Sequence, residues 1–451
     1  MPGRRPDEDN PDEVAGGVAM PSPAMLTDRY ELTMVSSWLA DGSAHAPAVF
    51  ECFARGLPPG RRYGVVAGLG RLLPLIRHFR FTGEEIDYLT ASGAVSDECA
   101  DYLAGFRFAG DVDAYREGDL YFPGSPVLTV AGTLAECCLL ETIVLSVLNH
   151  DSAIASAAAR MVVAARDRPL IDMGSRRTHE RAAIASARAA YLAGFSSTSN
   201  LAAGHRYGIP TVGTAAHSFT LSHASEAEAF ASQVAALGVG TTLLVDTYNS
   251  ERGIRTAVDV AGPDLGAIRL DSGALTDEAW RARRLLDELG ATRTRITVTS
   301  DLDEYCIAEL ASAPVDNYGV GTRLVTGSGH PTASFVYKLV AVGDAHRAGP
   351  LRPVAKSSTG KASVGGRKRA FRASGEAGEW VSEQATSYAD TAPGTALVVP
   401  VMRGGEIVHD PGLDEIRAFS RETRDRLPDT ALDLSEGPPH LTASKPGRAD
   451  E

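Results

Sequence analysis

The sequence predicts an α/β protein, an irregular (β/α) barrel joined to a smaller α+β domain formed by the N- and C-terminal segments. Three observations predict it. Between Pro169 and Thr322 short apolar strands (PLIDMG, GFSSTSN, IPTVGTAAHSF, TTLLVDTY, GAIRLDSG, RITVTSDLD and VDNYGVGT) alternate with helical patterns such as HERAAIASARAAYLAG and TDEAWRARRLLDELG. That is the grammar of a parallel sheet with helices outside it. Nearly every strand ends in polar or charged side chains, where parallel α/β folds collect their reactive groups. The alternation is absent on either side. The expected division is a tail at 1–22, an α+β domain at 23–145, the barrel at 146–345, a segment at 346–437 returning to the first domain, and a flexible tail at 438–451.

Residues 1–22 are rich in Pro, Asp, Glu and Gly without periodic apolar positions, and read as disordered. Thr27 or Asp28 then caps a helix whose apolar positions Leu32, Val35, Trp38 and Leu39 recur at helical spacing. APAVFECFARGLPPG reads as a strand and turn, and a helix-rich stretch runs from Gly68 to Phe106. DVDAYREGDLYFPGSPVLTVAGTL has the alternation and Gly/Pro punctuation of antiparallel strands. Residues 135–166 form a long Ala-rich helical tract. Beyond Tyr337 come a basic, Gly-rich segment (AKSSTGKASVGGRKRAFR) and further short strands.

At 451 residues the chain exceeds one small core, and its 44% hydrophobic and 22% charged content is that of a globular protein. No run of about 18 consecutive apolar residues predicts a membrane span, and the first residues lack the apolar region of a secretory signal. Five cysteines without C-x-x-C spacing argue against a disulfide scaffold or zinc site and for a reducing cytoplasm, with Cys137 and Cys138 as buried thiols. The net charge of −13 opposes nucleic-acid binding, so an anionic small substrate would need a local island of positive charge.

The chemistry concentrates in Gly194 to Phe219, GFSSTSNLAAGHRYGIPTVGTAAHSF, read as two short strands joined by a helical turn. Thr198, Ser199 and Asn200 follow the first strand; Thr214, His217 and Ser218 follow the second. Residues two apart share a face of a strand, which pairs Arg269 with Asp271 and Asp246 with Tyr248. Such charges at strand ends make either an ion network or a polar site. The GVGTR segment, with Gly319, Gly321 and Thr322, can bring backbone N–H groups to a phosphate. Asp246, Asp271 and Asp301 could hold Mg²⁺ through a diphosphate, whereas His205, His217 and His223 match no zinc spacing. Spacing leaves His217 open between a hydrogen-bonded strand-end histidine and a general acid, base or nucleophile. These residues read as an enzyme acting on an anionic, phosphorylated substrate.

LTDRYELTM, DMGSRRTHE, FSSTSNLAAGHRYGIPTVGTAAHSF, LLVDTYN, IRLDSG, SDLDE, YGVGTRLVT and KSSTGK…GGRKRAFR together resemble the nicotinate phosphoribosyltransferase family in order and spacing, from Met25 to about Val408. The resemblance implies an irregular barrel of the type II phosphoribosyltransferases in a cytoplasmic homodimer with shared active sites. It implies that nicotinate and 5-phosphoribosyl 1-diphosphate give nicotinate mononucleotide and diphosphate in NAD salvage, with Mg²⁺ as cofactor and ATP as co-substrate. His217 matches the histidine that ATP phosphorylates. Tyr30 matches the aromatic residue that stacks on the pyridine ring across the dimer, and Arg176 the arginine near pyridine and ribose phosphate. Arg269 and Asp271 match ribose and diphosphate contacts, and Gly319, Gly321 and Thr322 match the 5-phosphate loop.

Two departures bear on the substrate. Nicotinamide-using relatives carry an aspartate where this chain has Ser199, and a carboxylate there would repel nicotinate. Met173 stands where those relatives place a stacking aromatic. The competing expectations are nicotinamide or quinolinate phosphoribosyltransferase, or a non-catalytic sensor of phosphoribosyl diphosphate.

Overall fold

The computed structural model describes residues 22–347, 349–356 and 363–444; most of the two expected tails and part of the basic segment lie outside them. Two sheets organise the chain. The first is antiparallel and seven-stranded, and Pro47–Ala54 lies inside it between Pro126–Thr133 and Phe335–Val342. Asp111–Tyr115 and Val398–Arg403 continue it, so both ends of the chain build one sheet. The second is parallel and six-stranded. Its strands are β1 (Leu170–Asp172), β2 (Ser197–Thr198), β3 (Thr242–Leu244), β4 (Ala267–Leu270), β5 (Arg295–Ser300) and β6 (Asn317–Val320), in the order β2-β1-β6-β5-β4-β3. Buried apolar side chains form one large cluster around each sheet.

The described residues show an open parallel sheet and not the closed ring that a barrel would have. IPTVGTAAHSF is not a strand: Thr211 makes an isolated bridge to Thr198, and His217 opens a short helix, His217–Leu221. β2 and β3 are therefore edges, and no backbone ladder closes the ring among the described residues. The reason lies in GTAAHS, which has small residues and no alternating apolar side chains to pin a strand.

Helices Leu134–Leu139 and Glu141–Ala165 run between the layers. This tract is long and apolar enough to cross a bilayer by those measures, yet most of its apolar window is buried inside the fold. Cys137 and Cys138 are fully buried within it. Several charged side chains that enter the interior are paired with opposite charges, which offsets the cost of burying them. Glu117 accepts from Arg188 at 2.8 Å and from the N–H groups of Gly68 and Gly70 at 2.6 and 3.0 Å, tying the antiparallel layer to helix Glu180–Ala193. Arg372, fully buried, reaches Asp119 at 2.6 Å and Glu383 at 2.8 Å.

The C-terminal segment binds both layers, beyond the first one expected. Arg424 and Arg417 of helix Leu413–Asp425 donate to the carbonyls of Ala193 and Gly194, respectively, at 2.7 and 2.9 Å, at the open end of helix Glu180–Ala193. Residues 438–444 are no flexible tail: Ala443 N–H bonds Pro123 at 2.9 Å, and Ser444 bridges Gln384. Within the basic segment, Lys368 is buried on Glu51 at 3.0 Å, while Arg367 and Arg369 lie over the Tyr388 ring at 4.0 and 4.3 Å. Those three cations are spent inside the fold.

Helix Arg29–Ala40 starts at Asp28, whose side chain makes no cap. Glu31, fully buried, turns inward instead, accepting from Thr27 and from the N–H and hydroxyl of Thr142 at 3.0 and 2.6 Å. Burial pushes its carboxyl from 4.5 to about 7, against the hydrogen bonds from Thr142 and Thr27. A raised folded-state value favours the protonated form, so this stabilisation is full below about 4.5 and is lost as pH rises through about 7. Glu31→Gln keeps the shape without the charge. It should melt with the parent below pH 5 and several degrees above it at pH 8, a gain of up to about 3 kcal/mol in thermal melts across that range.

Candidate active site

The site grows from β4. Arg269 leaves the strand pointing inside the sheet, less than a tenth exposed, and its donors go to three separate segments. Nε donates to Thr299 Oγ1 at 2.8 Å on β5, and Nη2 to Asp271 Oδ1 at 2.9 Å. Nη1 reaches Thr214 Oγ1 at 3.2 Å and the Ala215 carbonyl at 3.4 Å, across the open edge. Thr299 also donates to Asp271. Burial works to raise the Asp271 carboxyl, but the Thr299 hydroxyl, Arg269 and His217 together hold it below its ordinary value. Asp271 is thus kept as a carboxylate.

His217 stands beside this pair. Its Nε2 lies 3.9 Å from Asp271 Oδ2, and its Nδ1 is 3.1 Å from Thr247 Oγ1. The ring is bracketed through both nitrogens and remains about two-fifths exposed, which leaves room for a reactant. Asp246 caps the arrangement from β3's end: one oxygen accepts from Asp271 N–H and Ser272 Oγ, each at 2.8 Å. Its other oxygen is buried without a partner among the described residues. Behind it Glu226 likewise keeps one unpartnered buried oxygen, and burial, with Asp246 adding, raises its carboxyl against Arg252.

Below Arg269 a cavity of about 500 Å³ runs along the inside of the sheet, and all six strands line it. Ile171, Met173, Ser197, Thr214, Arg269 and Thr297 are among its walls. At β6, Gly319 faces this interior. A Cβ there would lie 2.5 Å from a Thr299 methyl and 2.8 Å from Met173 Sδ, so the glycine is needed for room. Gly321 precedes the short helix Thr322–Val325 at the strand's end. Gly174 similarly allows the turn after β1 to press against Val325, 2.1 Å from where its Cβ would stand.

The sequence-predicted residues fall into groups. Arg269, Asp271, Asp246 and Thr214 form one hydrogen-bonded cluster, and His217 stands against it 3.9 Å from Asp271. Ser199, exposed Ser218 and exposed Arg176 stand on segments around it, and Gly319, Gly321 and Thr322 on another. Thr198 is a correction: it is fully buried, and its hydroxyl donates to Asp172 at 2.6 Å, so it lies behind the wall instead of facing substrate. Asp301 is exposed and pairs with Arg323 at 3.5 Å. Among the described residues no group of three or more His, Cys, Asp or Glu forms a metal site. Tyr30 is 47% exposed on the N-terminal helix, and no hydrogen bond or ring contact joins it to the His217 cluster among the described residues.

Sequence reasoning missed Thr299, Thr247 and Asp172. For Thr299 a signal existed: in RITVTS the hydroxyls at 297 and 299 share one face while Ile296 and Val298 take the other. Thr247 and Asp172 carry no such mark.

Known proteins resemble this chain along most of its length. The family model described as the nicotinate phosphoribosyltransferase (NAPRTase) N-terminal domain matches residues 25–149. Nicotinate phosphoribosyltransferase pncB1 of Mycobacterium tuberculosis is 54% identical over 429 residues, covering 92% of this chain and 94% of its own. The Bacillus subtilis nicotinate phosphoribosyltransferase is 36% identical over 77% of this chain and 73% of its own. The crystal structure of human nicotinic acid phosphoribosyltransferase superposes with a TM-score of 0.77 at 26% identity, covering 94% of this chain and 98% of that one. The chain belongs to the nicotinate phosphoribosyltransferase family.

Proposed function

We propose that this protein is a nicotinate phosphoribosyltransferase, making nicotinate mononucleotide and diphosphate from nicotinate and 5-phosphoribosyl 1-diphosphate in NAD salvage in the cytoplasm. The observation that carries the reading is the Arg269–Asp271–His217 cluster, set at strand ends over an interior cavity, in a chain 54% identical to a relative of that name over most of its length. In the reaction the pyridine nitrogen forms a bond to ribose C1 as the bond from C1 to the diphosphate oxygen breaks. The diphosphate leaves with the electron pair, and the ring becomes a pyridinium. Positive charge builds on the ribose before the new bond is complete. A fixed guanidinium and a fixed carboxylate serve the two developing charges without reorganising. Arg269 faces the departing phosphates; Asp271 and Asp246 face the ribose. The segment Gly321–Thr322 receives the 5-phosphate, with Arg176, Ser199, Thr214 and Ser218 closing round the substrates.

Mg²⁺ fits this donor set, because hard oxygen donors are present and Asp246 keeps an oxygen without a partner. When bound through diphosphate oxygens, the ion would neutralise their charge, with Asp246 and Asp271 nearest to hold it and Asp301 farther out on the rim. His217 accepts the phosphoryl group of ATP, leaving ADP, and later yields it to water as phosphate. The added charge tightens the bracket around the substrates.

The second subunit enters through Tyr30. Its exposure, with Leu26 49% exposed beside it, supports a homodimer in which each Tyr30 stacks on the partner site's pyridine. Nicotinamide is a weaker substrate in this reading because Ser199 brings no carboxylate to accept an amide hydrogen bond, and quinolinate is weaker because its second carboxylate would need further cationic groups.

Four outcomes test this. Product formation from nicotinate should exceed that from nicotinamide or quinolinate at least about a hundredfold in rate assays, with activity on nicotinamide alone overturning the proposal. His217→Ala should lose ATP stimulation of product formation while keeping a residual ATP-independent rate. Arg269→Lys, which cannot reach three segments with one forked group, should lower kcat/KM about 100-fold by steady-state kinetics. Mixed Tyr30→Ala and His217→Ala proteins, each impaired alone, should recover about a quarter of normal activity after subunit exchange, since one site in each mixed dimer is intact.

A further inference from the structure

We propose that Asp172 is a positioning residue for the pyridine base, locking together the two strand ends that face it from behind the wall. The inference rests on the nicotinate reading above. Asp172 ends β1 directly opposite Thr198 at the end of β2. Ile171, Met173 and Ser197 line the interior cavity, so strand alternation turns Asp172 and Thr198 the other way, toward the helices. They are 1% and 0% exposed.

The carboxylate there makes two bonds. Oδ2 accepts the Thr198 hydroxyl at 2.6 Å, and Oδ1 accepts the Gly174 N–H at 2.9 Å. The main-chain oxygen of Asp172 accepts Ser199 N–H at 2.8 Å. Thr198 Oγ1 in turn receives Asn200 N–H at 3.0 Å, and Asn200 Nδ2 donates to Ser175 Oγ at 3.0 Å. One side chain thereby joins the turn that carries Arg176 to the segment that carries Ser199. Between them Met173 is held to β6 by its N–H on Val320 at 2.8 Å.

No cation pairs with this carboxylate among the described residues; its side-chain partners are a hydroxyl and a peptide N–H. Burial raises its carboxyl against those two donors. Neutral donors alone leave a buried carboxylate costly to keep, and an apolar strand end would hold the sheet as well. What an apolar residue could not do is fix the turn at Gly174 and the segment after Thr198 to each other. Those two segments bring Arg176 and Ser199 to the base, and small displacements of such groups cost catalysis heavily.

Steady-state kinetics on full-length Asp172→Asn and Asp172→Ala, varying nicotinate and 5-phosphoribosyl 1-diphosphate separately, test this alongside thermal melts. The KM for nicotinate should rise about 10-fold or more in Asp172→Ala and less in Asp172→Asn, which keeps an acceptor for the Gly174 N–H. The KM for 5-phosphoribosyl 1-diphosphate, which Arg176 also touches in this reading, should rise severalfold less than that for nicotinate. An unchanged nicotinate KM, or equal rises in both KM values, overturns the inference while the parent protein's activity on nicotinate stands. A parent inactive on nicotinate overturns the functional reading itself and this inference with it. If Asp172→Ala does not fold, the nicotinate KM of Asp172→Asn decides alone, an unmoved value overturning the proposal.

Discussion

A guanidinium withdrawn from water must find fixed acceptors for its donors, and Arg269 finds them on β5, on the residue two further along its own chain, and on the segment that bridges the sheet's open edge. This requirement sets much of the surrounding structure. It explains the threonine at 299 and the bare position at Gly319, where any side chain would collide with that threonine. It also holds Asp271 ionised next to His217, so that the histidine, the carboxylate and the arginine share one rigid frame. The site is rigid where charge must be met and open where a reactant must enter.

The strands and their order of occurrence were legible in the sequence because each is a short apolar run punctuated by a turn, with polar groups at its end. Arg269, Asp271, Asp246 and His217 could be picked out because charge is conspicuous in such runs. The third candidate strand failed for a physical reason: GTAAHS offers no alternating apolar face, and its partners there are side chains such as Arg269 instead of a neighbouring backbone. Thr198 misled because a hydroxyl at a strand end looks the same whether it faces a ligand or a buried aspartate. The role of the basic segment was not legible in the sequence. Lys368, Arg367 and Arg369 resemble an anion site in one dimension, and only the fold brings Glu51 and the Tyr388 ring to them.

The C-terminal segment also had no sequence mark that would assign it to the parallel layer. Its arginines at 417 and 424 close the carbonyl end of helix Glu180–Ala193, immediately ahead of β2. Helix ends expose carbonyls that need donors, and long cationic side chains from another element can supply them. The strand that leads to Ser199 is therefore anchored at both ends, by Arg417 before it and by Asp172 beside it.

The antiparallel sheet carries a consequence for how the chain reaches this state. Pro47–Ala54 emerges early in synthesis, yet one of its two partners is Phe335–Val342, with Cys52 opposite Tyr337 across most of the chain. Such distant pairings are slow, because the intervening loop must close before the contact repays its entropy. During translation that edge of the strand has no mate, and unpaired strand edges are where nascent chains associate wrongly. The parallel sheet pairs neighbours in sequence in every ladder except β1 with β6, and all of its strands precede Phe335, so it can assemble while the first sheet waits. Phe335–Val342 completes the earliest strand and Val398–Arg403 completes Asp111–Tyr115, so a truncated product would leave a sheet edge exposed rather than a smaller stable enzyme.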